Sequence, residues 1–246
     1  MAQSQSADET VNDSATSDAL SADNPPAYSV TLPFTKNEGE EFFFEDIGEL
    51  NKKPLYDFFK RLFDIVLSLI GMVVLAIPLA ILSLLVVLTS KGSAFYTQTR
   101  LGLDGKPFRI LKLRTMVDNA ERDGAQWSAG DDDPRITRFG RFLRKARLDE
   151  LPQLFCCFIG TMSFVGPRPE RPCFYCEFEK YIHGFHQRTK VKPGITGWAQ
   201  INGGYDLRPE EKIVYDIEYM KKRSLWMDFK ILLGTFSIIF THKGAK

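Results

Sequence analysis

Arg147-Leu148-Asp149-Glu150-Leu151-Pro152 is the stretch on which the reading of this chain turns. In a helix interior the Pro152 ring would strike the carbonyl four residues back, so the helix leading to Arg147 is expected to stop here. Proline is tolerated in a first turn, which predicts a new helix with Asp149 near its N-cap and Glu150 beside it. A helix start leaves backbone N–H groups unpaired and carries about half a positive charge, so it favours ionised carboxylates and attracts phosphate. Acidic residues are also ordinary helix caps, and the surroundings have to decide between the two.

Immediately upstream, Ile136, Phe139, Leu143 and Ala146 recur at helical spacing, and Arg135, Arg138, Arg141, Arg144, Lys145 and Arg147 make the other side basic. Arg144 is a candidate phosphate ligand, although five residues of unbroken helix would turn it about 140° from Asp149. A break at Pro152 is expected to bring it back; Lys145, one turn before Asp149, is the substitute. Downstream, Val165-Gly166-Pro167-Arg168-Pro169 is a stiff loop presenting one guanidinium, a suitable phosphate fork. Pro193 to Trp198 and Asn202-Gly203-Gly204 form loops rich in backbone amides, with Trp198 available for stacking. Further back, Ala94 to Arg100 and Lys106 to Lys112 alternate around Asp104-Gly105, a hairpin signal. A short polar helix is predicted around Val117 to Arg122.

The run Ile65 to Ser90 has no charged residue and is long enough for a bilayer. Lys52, Lys53, Lys60 and Arg61 precede it and Lys91, Arg100, Lys106 and Arg109 follow it, whereas a simple span leaves most Lys and Arg on one side. Pro78 interrupts the run. Two half-helices that enter one leaflet and return account for both facts, with the bend at Ile77-Pro78; an ordinary kinked span is the other reading.

The formal net charge of +1 conceals a division. Residues 1–50 hold eleven Asp and Glu against Lys36 alone, hence −10, and the remainder is +11. A basic body of this kind seeks phosphate, on lipid, nucleotide or nucleic acid. Residues 1 to about 40 lack apolar periodicity and are expected to be disordered, and Phe42-Phe43-Phe44 could touch the membrane or fold onto the basic body. This acidic stretch does not read as a secretory signal. Four cysteines give no disulfide framework, and Cys173 and Cys176 near His183 and His186 lack a second clean pair for zinc. Pro209 to Arg223 reads as a charged amphipathic helix. Leu225 to Phe240 is apolar but contains Asp228 and Lys230, so it is expected to lie in the membrane interface.

Lys60-Arg61-Leu62-Phe63-Asp64, Lys112-Leu113-Arg114-Thr115-Met116, Leu148 to Gln153, Gly166 to Pro169 and Lys192 to Gly197 occur in this order. Together they resemble the bacterial sugar transferases, the monotopic polyprenyl-phosphate phosphoglycosyl transferases, over about residues 55 to 240. The resemblance implies an enzyme that moves a sugar 1-phosphate from a UDP-sugar to polyprenyl (undecaprenyl) phosphate and releases UMP, the first membrane step of a surface glycan. It implies Asp149 as nucleophile, Glu150 as metal ligand or acid–base partner, and Mg²⁺ held by the pair; Lys112, Arg144, Lys145 and Arg168 are the candidates for the phosphates. Ile77 stands where many members have serine, so it has no hydroxyl to bond a carbonyl freed at the bend.

The expectation is thus an α+β, mainly helical, monotopic protein with a re-entrant membrane helix, a small β-hairpin and interfacial amphipathic helices. Its domains would be an acidic tail at 1–50, the membrane helix at 51–91, and a catalytic domain at 92–246 on the cytoplasmic face of the bacterial inner membrane. Membrane lipid is an expected partner and nucleic acid is not. Two other readings remain at this stage. Asp131 and Asp133 spell a D-x-D metal site for a glycosyltransferase releasing UDP, although Pro134 and the absence of a preceding hydrophobic strand favour a turn. A non-catalytic membrane scaffold would leave Asp149 replaceable.

Overall fold

The computed structural model of the 246-residue chain describes residues 30–31, 40–118, 120–121, 125–126, 133–203 and 207–241. It is mainly helical, with short two-stranded sheets. β1 (Val30–Thr31) pairs in parallel with β5 (Ala125–Gln126), and β2 (Phe42–Phe43) with β7 (Ile182–His183). β3 (Phe95–Leu101) and β4 (Pro107–Leu113) form the expected hairpin, with Asp104 at φ 56° and Gly105 at φ 72° making the turn. β6 (Ser163–Val165) lies parallel to β8 (Gly194–Thr196).

The apolar run forms α1 (Pro54–Val74) and α2 (Ala76–Thr89), separated only by Leu75. Pro78 explains this position. Its ring excludes a regular carbonyl at Val74, four residues back, so α1 ends there and Pro78 sits in the first turn of α2. Pro54–Thr89 is apolar enough for a membrane, with a mean hydropathy of 2.9 and only 6% of its most apolar window buried. Straightened, its 36 residues would reach about 54 Å, well beyond a hydrocarbon core of about 30 Å. Both ends are tied to the body. Near the start, Lys60 donates to the Val165 carbonyl at 2.9 Å and Arg61 to those of Cys157 and Phe158 at 2.7 and 2.8 Å. At the far end, Arg114 donates to the Ser90 carbonyl at 2.8 Å, and Val86 packs with Leu113 and Leu143.

α3 (Arg138–Lys145) is capped by Thr137, whose Oγ1 accepts from Gly140 N at 2.9 Å. α4 (Gln153–Ile159) follows, then α5 (Pro172–Glu179), α6 (Trp198–Gly203), α7 (Pro209–Lys222) and α8 (Leu225–Thr241). In α8 the ionisable Asp228 faces the body, accepting from Lys60 at 2.7 Å and Tyr219 at 2.9 Å. Trp226, Phe229, Leu233 and Phe236 on the same helix are exposed. Of the two charged residues of this helix, Asp228 is turned inward, and Lys230 is exposed with its Nζ over the Trp226 ring at 5.5 Å.

Three expectations need correction. The tail does not run to residue 50, and of the two readings of its aromatic cluster the fold onto the body holds: Phe42 N donates to Tyr181 O at 2.7 Å, Phe44 N to His183 O at 3.0 Å, and Phe42 and Phe44 pack on the cluster containing Phe178 and Ile182. Aromatic burial on the basic body outweighs the acidic composition of this segment; residues 1–29 and 32–39 lie outside the described residues. The polar helix around Val117 is absent among the described residues, because Met116 bridges Ile136 and Val117 N donates to Arg135 O at 2.9 Å. Finally, Trp198 is not a free stacking surface: it is packed beside the Tyr219 and Ile231 cluster, and its Nε1 donates to Glu218 at 2.8 Å.

Candidate active site

The helix does stop before Asp149, but Arg147 is the residue that stops it. α3 ends at Lys145, Arg147 adopts a left-handed φ of 56°, and Leu148–Glu150 form a tight helical turn leading through Pro152 into α4. Asp149 thus lies ahead of the helix rather than at its N-cap, and α4 has only seven residues. Its dipole is correspondingly small, so the positive field at this site comes mainly from side chains.

Those side chains converge on Glu150. Ile110 of β4 packs with Cys156 and Cys157 of α4, and Lys112, two residues further on the same strand face, places Nζ 2.8 Å from Glu150 Oε1. From the loop after β6, Arg168 Nη2 lies 2.5 Å from Oε1 and Nη1 lies 3.4 Å from Oε2. The fork anticipated for phosphate therefore clasps a carboxylate here. Burial would push the Glu150 carboxyl up, but Arg168 and Lys112, through charge and hydrogen bonds, hold it well below the usual range.

Asp149 is treated oppositely by the same surroundings. It is buried, and no hydrogen bond reaches its carboxylate among the described residues. Burial, together with the negative charge of Glu150, pushes its carboxyl up to about 6, against the pull of Lys112, Arg144 and Arg168. A carboxylate without hydrogen bonds keeps its lone pairs available for attack. Arg144 donates from Nε to Thr115 Oγ1 at 2.9 Å. The left-handed turn at Arg147 brings it within electrostatic reach of Asp149, and Lys145 is exposed.

The Arg168 loop is set by a close backbone crossing. Ser163 and Val165 pair with Gly194 and Thr196, and a Cβ on Gly166 would lie 2.3 Å from the Lys192 carbonyl. The amide-rich loop at 193–197 is therefore engaged with the Pro-Arg-Pro loop: Gly194 N donates to Pro167 O and Gly166 N to Thr196 O, each at 2.9 Å. Behind it lie groups that the sequence pattern did not single out. Arg188 and Asp216 form a buried ion pair at 2.5 Å, and Arg100 pairs with Glu170 at 3.3 Å. Their pairing joins residues 28 and 70 positions apart, beyond any local pattern.

Elsewhere, a cavity of about 770 Å³ opens beside the head of α1, lined by Lys60, Arg61, Lys190 and Arg223 among others. All four donate to protein oxygens, so most of its positive charge is already committed. Asp133 is fully engaged by Arg135, at 2.6 Å to Oδ2 and 2.8 Å to Oδ1, in a turn. That is the geometry expected of the turn reading; Asp131 lies outside the described residues.

The residues present suit Mg²⁺ of a limited kind. Among the described residues no three His, Cys, Asp or Glu side chains converge into a cage. Mg²⁺ commonly takes one or two carboxylates and completes its shell with water and substrate phosphate, and Asp149, with Glu150 beside it, matches that donor set.

Comparison with known proteins bears on the whole segment from α1 to α8. The family described as "Bacterial sugar transferase" matches residues 55–242. The chain belongs to the bacterial sugar transferase family. This family member is 40% identical over 203 residues to the UDP-N-acetylgalactosamine-undecaprenyl-phosphate N-acetylgalactosaminephosphotransferase of Aeromonas hydrophila, covering 81% of this chain and 48% of that protein. It is 39% identical over 214 residues to the UDP-glucose:undecaprenyl-phosphate glucose-1-phosphate transferase of Escherichia coli (strain K12), covering 82% and 46%. A protein of the same name from Caulobacter vibrioides is 41% identical over 197 residues, covering 77% and 72%. The chain therefore spans about half the length of the first two relatives.

Proposed function

We propose that this protein is a phosphoglycosyl transferase that moves a sugar 1-phosphate from a UDP-sugar to polyprenyl phosphate, with UMP as the other product. The observation that carries the reading is the Asp149 carboxylate, buried and without a hydrogen bond among the described residues, beside a Glu150 neutralised by Lys112 and Arg168. The names of the relatives support the substrate classes, and they differ in the sugar.

In the first step an Asp149 oxygen attacks the sugar-linked phosphorus. The bond from that phosphorus to the bridging oxygen breaks, UMP leaves with the bridging oxygen, and the sugar phosphate remains on Asp149 as an acyl phosphate. In the second step a phosphate oxygen of the polyprenyl phosphate attacks the same phosphorus, giving polyprenyl-diphosphate-sugar and restoring the Asp149 carboxylate. Lys112, Arg144 and Arg168 offset the negative charge that otherwise keeps two anions apart. Glu150 orients Lys112 and Arg168. Mg²⁺, when held by Asp149 and Glu150 with substrate phosphate, would supply further charge neutralisation.

The membrane part of the proposal is a re-entrant α1–α2 segment, with the body on the cytoplasmic face of the bacterial inner membrane. Its support is that both ends of Pro54–Thr89 bond to one body, together with the break at Leu75. The exposed apolar face of α8 would then lie in the same interface. The decisive test incubates full-length protein with Mg²⁺ and UDP-glucose, UDP-galactose or UDP-N-acetylgalactosamine, without lipid. One of these sugars should appear as a phosphosugar on Asp149 with stoichiometric UMP, and Asp149→Asn should abolish both. Release of UDP, or full turnover by that variant, would overturn the reading.

A further inference from the structure

Four consecutive carbonyls of the Arg168 loop are each held by a donor from elsewhere in the chain. Pro167 O accepts from Gly194 N at 2.9 Å, and Glu170 O from Leu101 N at 3.1 Å. Between them, Arg168 O accepts from Arg188 Nη2 at 3.0 Å, and Pro169 O from Arg100 Nη1 at 3.1 Å. Proline at 167 and 169 lacks N–H groups, so carbonyls are the handles by which this backbone can be fixed. Both gripping guanidiniums are themselves anchored. Arg188, 2% exposed, donates from Nε to Asp216 Oδ2 at 2.5 Å, and Arg100 Nη2 donates to Gln98 Oε1 at 2.6 Å.

A buried ion pair such as Arg188–Asp216 is weak evidence of stabilisation, because desolvation cancels much of the attraction. Its orientation is the informative part: in one planar guanidinium Nε donates to Asp216 and Nη2 to the peptide bearing the phosphate-directed arginine. We infer that Arg188, assisted by Arg100, is a positioning residue for the transfer, fixing the Arg168 backbone so that its guanidinium meets Glu150 and the substrate diphosphate at a set place. The inference rests on the role given to Arg168 above and deepens it. Small displacements of an oriented group are costly in catalysis, which is where a rear support has its effect.

The test uses the full-length protein in detergent micelles with Arg188→Lys and Arg100→Lys. Lysine keeps the charge opposite Asp216 or Glu170, but a point charge cannot bond two targets in one fixed plane. One arm follows the guanidinium ¹⁵N signals of Arg168, assigned by their loss in Arg168→Lys. The wild type should show hindered guanidinium rotation, and the variants free rotation. The second arm measures UMP release, where kcat should fall roughly 10- to 100-fold with a smaller change in KM. Should Arg188→Lys not fold, Arg100→Lys carries both arms. Wild-type kcat and unchanged Arg168 signals, even with a lowered Tm, would make these arginines core ion pairs and overturn the inference. If the wild type releases no UMP from any UDP-sugar, the functional reading fails, while the ¹⁵N arm still decides whether the loop is positioned.

Discussion

Asp149 and Glu150 are adjacent and similarly buried, 7% and 9% exposed, yet their carboxyls are driven in opposite directions. Glu150 receives Lys112 and Arg168 directly, and Asp149 meets burial and the charge of its neighbour. Glu150 is a fixed anion that organises cations; Asp149, the proposed nucleophile, is raised in basicity.

This difference sets the pH dependence. Asp149 must be ionised to attack, so phosphosugar formation should rise with pH through about 6. For stability the sign is reversed. The folded state keeps the Asp149 proton to about 6, and an ordinary Asp loses it near 3.8, so this group destabilises the fold as pH rises through that window. Asp149→Asn removes the penalty, an upper bound of about 3 kcal/mol. The inactive variant should therefore melt higher than the wild type at pH 7, measured by thermal unfolding.

Glu150→Gln tests the opposite sense. From the sequence alone Glu150 reads as an exposed helix-start carboxylate worth about 0.3 to 1 kcal/mol. Its double ion pair changes that expectation. Losing it leaves two cations half-buried without their anion, at a cost of about 2 to 3 kcal/mol, discounted from the value for fully buried pairs because Lys112 and Arg168 remain partly exposed. The stability that Glu150 supplies is present above its ordinary pKa of 4.5 and lost as pH falls through its lower folded value. Removing its charge also relieves Asp149, so the acid limb of the rate profile should move to lower pH while kcat falls. An unchanged limb would mean that Glu150 does not act on Asp149.

Gly166→Ala is expected to disable the site from behind. The new Cβ meets backbone, the Lys192 carbonyl at 2.3 Å, which cannot swing aside as a side chain can. Overpacking of this kind costs about 1 to 3 kcal/mol, and the strain falls two residues before Arg168. UMP release should drop by more than the fall in Tm explains, and unimpaired turnover would refute a requirement for this crossing.

The membrane arrangement predicts that cysteines placed at Lys52 and Lys91 are both labelled from the cytoplasmic side of oriented vesicles. Pro78→Leu restores an N–H donor and removes the clash at Val74, so part of the population should straighten and put the two labels on opposite faces. Opposite labelling of the wild type would overturn the re-entrant arrangement.

Local chemistry was legible in the order of residues. The hairpin at Asp104-Gly105, the helix interruption near Pro78, the turn at Asp133-Pro134 and the Asp149-Glu150 pair all follow from rules that act over a few positions. What the sequence by itself determined is therefore the set of elements, the apolar run with its break, and the motifs that mark the family. Only the tertiary structure decided which partner each charge takes. It sent the Arg168 fork to Glu150, brought Arg144 back towards Asp149 through a left-handed Arg147, and packed the half-buried Phe42 and Phe44 on the body. The physical reason is that a side chain's energy depends on its desolvation and on charges brought near by folding. Arg188 finds Asp216 and the Arg168 carbonyl across 28 and 20 positions of chain, where no periodicity or propensity reaches.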